Sequence, residues 1–215
     1  MNNYIKVPQD IEKRSFEIIG EELGDKINKF DEATLPVIKR VIHTTADFEY
    51  ADLIEFMNDA INSGKEALKK GCKIYCDTNM IVNGASKMVL SKFNCEAYCL
   101  VADSEVVKEA KEKGVTRSIV GMEKAAKDPN TKIFLIGNAP TALYRLKEMI
   151  ERNEIEKPAL VVGVPVGFVG AAESKEAFKS LGIPYITING RKGGSTVAVS
   201  ILHGILYQMY QREGF

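Results

Sequence analysis

The sequence predicts an α/β fold, a doubly wound and mostly parallel five-stranded sheet that follows a helical N-terminal lead-in. From Lys73 onward, short apolar runs alternate with amphipathic runs, which is the pattern of strand–helix–strand units. The apolar runs contain few polar positions, as expected for strands buried on both faces. The predicted strands are Lys73–Cys76, Ala97–Val101, Ile133–Ile136, Leu160–Gly163 and Tyr185–Ile188.

The remaining amphipathic runs predict helices. The first 70 residues show helical patterns and no strand pattern, and Pro8 suits the first turn of a helix. No linker, repeat or low-complexity stretch interrupts the chain, so we expect one domain over residues 1–215, with the lead-in packed on the same core. The predicted helices are Pro8–Leu23, Thr34–Ile42, about Leu53–Lys70, Glu105–Lys113, Arg117–Lys127, Thr141–Arg152, Ser174–Leu181, and Ser195 to about Gln211.

The composition is that of an ordinary globular protein, with 45% hydrophobic and 27% charged residues. Lys+Arg and Asp+Glu are both 29, so no net charge favours nucleic acid or an anionic membrane. No apolar run approaches the roughly 20 residues of a membrane helix, and the N-terminus lacks the apolar core of a signal peptide. We therefore expect a cytoplasmic protein without a nucleic-acid or membrane partner.

The four cysteines form two C-x3-C pairs, Cys72/Cys76 and Cys95/Cys99. Their spacing differs from the C-x2-C spacing of zinc knuckles. Both pairs lie in or beside apolar, strand-like runs. We expect buried, reduced thiols and no metal site.

Loops rich in Gly, Asn, Asp or Thr follow the predicted strands. In open α/β sheets, ligands bind beyond the carboxyl ends of the strands, where such loops meet. Several of these loops together indicate a site built from the whole edge of the sheet. They are Asp77–Met80, Asp103-Ser104, Gly137–Thr141, Gly163–Ser174 and Asn189–Thr196.

The segment Gly163–Lys175 is the most informative of these loops. Its glycines allow a ligand to approach the backbone closely, and Pro165 stiffens the loop. Apolar residues such as Val166 and Phe168 make it too hydrophobic to cradle a phosphate. It is typical of one wall of a pocket for a large, flat, partly hydrophobic molecule.

The segment Gly190–Thr196 places Arg191 and Lys192 before a helix N-terminus, which favours anion binding over a merely flexible turn capped by Ser195. The chain lacks a G-x-G-x-x-G fingerprint, a Walker A loop, a G-x-S-x-G elbow and an acidic cluster with metal-ligand spacing. Dehydrogenase, kinase and hydrolase functions are therefore disfavoured.

Three single residues leave two interpretations open, and a fourth, His203, has one. His43 ends a predicted helix, where the helix dipole favours a protonated ring, but a lone histidine there is more often a capping or surface residue. Arg117 begins a helix against the dipole, so it either binds an anion or is a solvated surface residue. Ser15 either faces a ligand or only packs, and His203 is expected to be structural.

Several segments match the motifs of one known family, in the same order and along nearly the whole chain. They are Glu12–Phe16, Val41–Thr44, Cys76–Met80, Thr116–Ser118, Gly137–Leu143, Gly163–Lys175 and Gly190–Ser195. Together they resemble the precorrin-8X / cobalt-precorrin-8 methylmutase family of cobalamin biosynthesis. The resemblance implies a homodimer with a Rossmann-like sheet. It also implies an isomerase that moves a methyl group from C-11 to C-12 of precorrin-8 or cobalt-precorrin-8, giving hydrogenobyrinic or cobyrinic acid.

The resemblance also implies a corrinoid substrate and no cofactor, because any cobalt would belong to the substrate. It makes His43 the catalytic residue, which protonates or hydrogen-bonds a ring nitrogen near the migrating methyl group. An alternative from another class is a protein that binds a corrinoid or other tetrapyrrole without turnover, which would need no proton donor. The predicted substrate-binding residues are Arg14, Ser15, Asp77, Arg117, Asn138, Gly167, Phe168, Gly170, Arg191 and Ser195.

Overall fold

The computed structural model describes residues 5–210 and contains one mixed sheet flanked by helices. The strand order is β1-β6-β5-β4-β2-β3, in which every neighbouring pair is parallel except β1 and β6. The doubly wound, mostly parallel architecture is confirmed, with six strands instead of five. The strands are β1 (Ile54–Met57), β2 (Lys73–Cys76), β3 (Glu96–Tyr98), β4 (Thr131–Ile136), β5 (Leu160–Gly163) and β6 (Tyr185–Ile188).

The first two helices of the lead-in and most helices on the outer faces of the sheet agree closely with the sequence prediction. The helix bounds are α1 (Pro8–Leu23), α2 (Leu35–Thr45), α3 (Tyr50–Leu53), α4 (Ala60–Lys70), α5 (Asn79–Gly84), α6 (Lys87–Lys92), α7 (Ser104–Lys113), α8 (Arg117–Lys127), α9 (Pro140–Glu151), α10 (Ala171–Phe178) and α11 (Ser195–Leu206).

Two helix predictions need correction at their ends, and three short helices were not predicted. Helices α3, α5 and α6 are only four, six and six residues long. The helix predicted over Ser174–Leu181 begins earlier and ends as a 3-10 turn at Lys179–Leu181. The last helix ends at Leu206, while Gln211 lies outside the described residues.

The prediction of one helix over Leu53–Lys70 was wrong, because β1 occupies its first part. This strand pairs antiparallel with β6, with Ile54 opposite Ile188 and Met57 opposite Tyr185. The next two residues, Asn58 and Asp59, have φ values of 54° and 56° and separate the strand from α4. A four-residue edge strand depends on its distant partner, so its local sequence carries little signal.

The helices of the lead-in pack on one face of the sheet and share its hydrophobic core. Ile19 of α1 and Val37 of α2 share a hydrophobic cluster with Ile74 of the sheet and Ile201 of α11. Contact between α2 and α11 is close, since a Cβ on Gly204 would lie 2.7 Å from the Cα of Val37. This contact matters for the site, because α11 begins at the carboxyl edge of the sheet.

The order of strands reverses between β2 and β4, which lie side by side. Such a switch point is where an open α/β sheet leaves a crevice for a ligand. Within residues 5–210, no helix is both long and apolar enough to cross a membrane. Cys72, Cys76 and Cys95 are buried and Cys99 is half-buried.

Candidate functional site

Asp77, directly after β2, organises the switch point. Its carboxylate accepts hydrogen bonds from the backbone N–H groups of Gly137 at 2.9 Å, Asn138 at 2.8 Å and Ala139 at 2.7 Å. The side chain is only 2% exposed. Burial raises the pKa of the Asp77 carboxyl, and the three amides oppose this rise. Asp77 therefore shapes the loop after β4, whereas the sequence predicted that it contacts the substrate directly. Asn138, whose N–H donates to Asp77, is itself exposed.

The loops after β4, β5 and β6 interlock. The N–H of Gly194 donates to the carbonyl of Val164 at 2.8 Å, and that of Gly167 donates to the carbonyl of Arg191 at 3.1 Å. A Cβ on Gly137 would lie 2.8 Å from the backbone of Ser195, so this approach requires glycine. The Ser195 hydroxyl lies 2.9 Å from that of Thr78. These contacts bring the predicted residues of this edge together.

Phe168 and Val169 form an exposed apolar surface on these loops, which we call the Phe168 wall. Phe168 is 83% exposed and Val169 is 90% exposed. The guanidinium of Arg191 lies over the Phe168 ring, 5.4 Å from its centroid. Gly170, which has a φ of 75°, lies close to the start of α9, since a Cβ added to it would contact the side chain of Pro140. A flat apolar ligand with anionic groups matches this combination of aromatic surface and cation.

The sequence predicts that Lys192 binds an anionic ligand, but in the structure its side chain is paired with two carboxylates of the protein. Its ammonium forms ion pairs with Asp47 and with Glu49, at 2.7 Å in the second case. These carboxylates, the Asp47 hydrogen bond above all, raise the pKa of Lys192. Lys192 is thus a partner of the segment after α2.

His43 lies in the last turn of α2, two residues before the helix ends at Thr45. Its ring is stacked on Phe16 of α1, with centroids 5.1 Å apart and an interplanar angle of 25°. The side chain is exposed. Because Asp47 reaches Lys192 of the loop after β6, this end of α2 lies beside the carboxyl edge of the sheet.

The two predicted residues of α1 have partners within that helix. Ser15 is half-buried, next to Phe16, and donates to the carbonyl of Ile11 at 2.8 Å. Arg14 is exposed and pairs with Glu17 at 3.2 Å and Glu21 at 3.5 Å. The stack of Phe16 on His43 links Ser15 to the candidate site, whereas nothing in the contacts of Arg14 does so.

Arg117 is the first residue of α8 and is exposed. Its neighbour Thr116 lies 3.2 Å, hydroxyl to hydroxyl, from Thr141 in the first turn of α9. Within residues 5–210, neither Arg117 nor Arg191 forms an ion pair, whereas Arg145 contacts three carboxylates. Two arginines near the sheet edge therefore keep their charge available for a ligand.

Comparisons with known proteins agree on one family. A family model described as precorrin-8X methylmutase matches residues 10–208. The chain belongs to the precorrin-8X methylmutase family. It is 45% identical to the cobalt-precorrin-8 methylmutase of Leptospira interrogans, with 96% of each chain covered. It is 46% identical to that of Priestia megaterium, with 92% of this chain and 87% of the relative covered.

A solved structure of the same family has the same fold. The precorrin-8x methyl mutase of Thermus thermophilus matches with a TM-score of 0.84 and 40% identity, over 92% of this chain and 94% of that one. Membership of a methylmutase family gives no support to the alternative of a binding protein without turnover. The loops at the carboxyl edge of the sheet therefore form the candidate active site of a methylmutase-family protein.

Three features of the candidate active site escaped the sequence prediction. They are the hydroxyl pair of Thr78 with Ser195, the acidic partners of Lys192, and the buried Lys175, whose Nζ donates to the Lys192 carbonyl at 2.8 Å. Each depends on residues far apart in the chain. His203 has the structural role expected, because its Nε2 accepts a hydrogen bond from the Ser86 N–H at 3.1 Å.

Proposed function

We propose that this protein moves a methyl group from C-11 to C-12 of cobalt-precorrin-8 or precorrin-8, giving cobyrinic or hydrogenobyrinic acid in cobalamin biosynthesis. The observation that carries the proposal is the exposed Phe168 wall with the Arg191 guanidinium over its ring, in a chain that matches the family over residues 10–208. Arg117, at the start of α8, is a second arginine that forms no ion pair within the described residues. A corrinoid is flat and apolar in its ring and carries carboxylates at its rim, so it complements both features.

In this proposal the macrocycle lies against Phe168 and Val169, and Arg117 and Arg191 bind carboxylates at its rim. His43 donates a proton or a hydrogen bond to a ring nitrogen close to the migrating methyl group. Electron density is thereby withdrawn from the ring system, which eases a sigmatropic shift. The shift is intramolecular: one C–C bond breaks as another forms, so no co-reactant is consumed. We propose accordingly that the enzyme uses no cofactor.

The proposal includes a homodimer in the cytoplasm. Support for a dimer comes from four exposed apolar side chains along and just before α1, Ile5, Val7, Ile11 and Ile18, which together offer a surface for a second subunit. Light scattering at micromolar concentration tests this part. A particle of 23.8 kDa, the mass of one chain, would contradict it.

The decisive experiment is incubation of the purified protein with the cobalt-containing and the metal-free precursor in parallel. The expected result is a change of the visible spectrum that depends on enzyme concentration, with the methyl group of the product on the new ring carbon by NMR. The names of the two relatives above make the cobalt form the better first substrate. Tight binding of both precursors without any spectral conversion would refute the enzymatic function.

A further inference from the structure

Lys192 lies between two parts of the candidate active site. It follows Arg191 in the loop after β6, and its ammonium is held by Asp47 and Glu49, just beyond the helix that carries His43. Its Nζ also lies 5.6 Å from the ring centroid of Tyr50. One side chain therefore ties the loop to the end of α2.

The backbone at Lys192 is held as firmly as its side chain. The Lys192 carbonyl accepts a hydrogen bond from Lys175, whose side chain is buried. The following residue, Gly193, passes so close to Val164 that an added Cβ would lie 2.1 Å from the Val164 carbonyl oxygen. With its backbone fixed on the sheet side, the loop can transmit the position of α2 to Arg191.

The local charge argues against direct binding of a substrate carboxylate by Lys192. One ammonium with two carboxylates leaves a net charge of about −1 at this point, which repels an anionic group. An ammonium that already contacts two carboxylates also has few donors left. The cluster is therefore better suited to hold protein segments together.

We propose that Lys192 is a positioning residue, which holds the end of α2 against the loop after β6 so that His43 and Arg191 face one substrate at a constant separation. The inference rests on the proposed methylmutase function. Lys192 does not touch the reacting atoms; it acts through His43 and Arg191. Misplacement of a catalytic group by about 1 Å can cost about 100-fold in rate, so losing this link should lower kcat.

The test compares Lys192→Met and Lys192→Arg with a control, Lys124→Met. Lys124 matches Lys192 in exposure, 36% against 37%, and also contacts two carboxylates, but on α7. Lys192→Met should lower kcat by about 10- to 100-fold with KM changed less than about threefold. Lys192→Arg should recover most of kcat, and Lys124→Met should behave as wild type.

A second set of variants tests the route of the effect. The double variant Asp47→Asn/Glu49→Gln should lose as much kcat as Lys192→Met, and combining all three changes should cost nothing further, because they break one link. Hydrogen exchange of the peptide over residues 190–196 should accelerate in each of them without substrate. Circular dichroism melting identifies any variant that does not fold, and if Lys192→Met is one of them, the Asp47→Asn/Glu49→Gln variant carries the comparison.

Two results would overturn the inference. The first is a rise in KM at unchanged kcat, which shrinks at high salt and indicates a direct contact with substrate. The second is unchanged kcat together with unchanged exchange of residues 190–196. If wild-type protein converts neither precursor, the proposed function fails instead, and the exchange experiment still decides whether Lys192 fixes the loop.

Discussion

Asp77→Ala should destabilise the fold, because it removes the carboxylate that accepts hydrogen bonds from three backbone N–H groups at the switch point of the sheet. The Asp77 carboxylate accepts from the amides of Gly137, Asn138 and Ala139, at 2.7 to 2.9 Å, and is 2% exposed. If it contacted substrate instead, its loss would weaken binding and leave stability intact. The two interpretations of Asp77 therefore predict opposite results.

The magnitude follows from the number of donors. A hydrogen bond to a charged group contributes about 1.5–3 kcal/mol, and a buried N–H left without a partner costs about 1–3 kcal/mol. Three donors, partly relieved by water entering the space, give an expected loss of about 4–6 kcal/mol. Asp77→Asn can keep the two bonds made by Oδ2 and turn its NH₂ toward Gly137, so it should lose about 2–3 kcal/mol.

The assay is urea unfolding at neutral pH followed by circular dichroism, since the chain contains no tryptophan. Asp103→Ala is the matched control. Asp103 also accepts from two backbone N–H groups, those of Glu105 and Val106, but it is exposed at a helix N-terminus. Its loss should cost about 1 kcal/mol. An Asp77→Ala protein no less stable than the control, but unable to bind the corrinoid product, would refute this reasoning.

Three further predictions concern single residues. His43→Ala should lose about 10²–10⁴-fold in kcat while still folding and binding product, and His203→Ala should change stability only; wild-type turnover by His43→Ala would exclude proton-assisted catalysis. Arg117→Ala should weaken product binding by about tenfold at low salt and less at high salt, whereas Arg152→Ala, an exposed arginine away from the sheet edge, should not; equal affinities at low salt would remove Arg117 from the site. Burial lowers the pKa of Lys175 from 10.5 to about 8, so between these values the unfolded chain binds more protons and stability rises with pH. Urea unfolding should therefore show wild type gaining about 2 kcal/mol over Lys175→Met between about pH 7.5 and 9.5, and parallel pH curves would contradict this assignment.

Apart from the residues that the family resemblance implied, the sequence indicated the candidate site only as a set of loops. Glycines and small polar residues after apolar runs predicted that the carboxyl edge of the sheet holds the ligand, and the structure does bring the loops after β2, β4, β5 and β6 into contact. The sequence predicted that Lys192 binds an anion at this edge, whereas the structure shows it paired with two carboxylates of the protein itself. Its two carboxylate partners lie more than 140 positions earlier in the chain, and no local pattern indicates such a pair.

The sequence by itself determined the order of most strands and helices, the lead-in and the edge of the sheet at which the candidate site lies. These features follow from apolar periodicity and turn residues, which act over a few neighbouring positions. Only the tertiary structure decided that β1 is a strand, that Asp77 holds a loop and that Lys192 joins the end of α2 to the site. Each of these depends on a partner made near by folding: β6 for the strand, an amide 60 residues away for Asp77, and Asp47, 145 residues away, for Lys192.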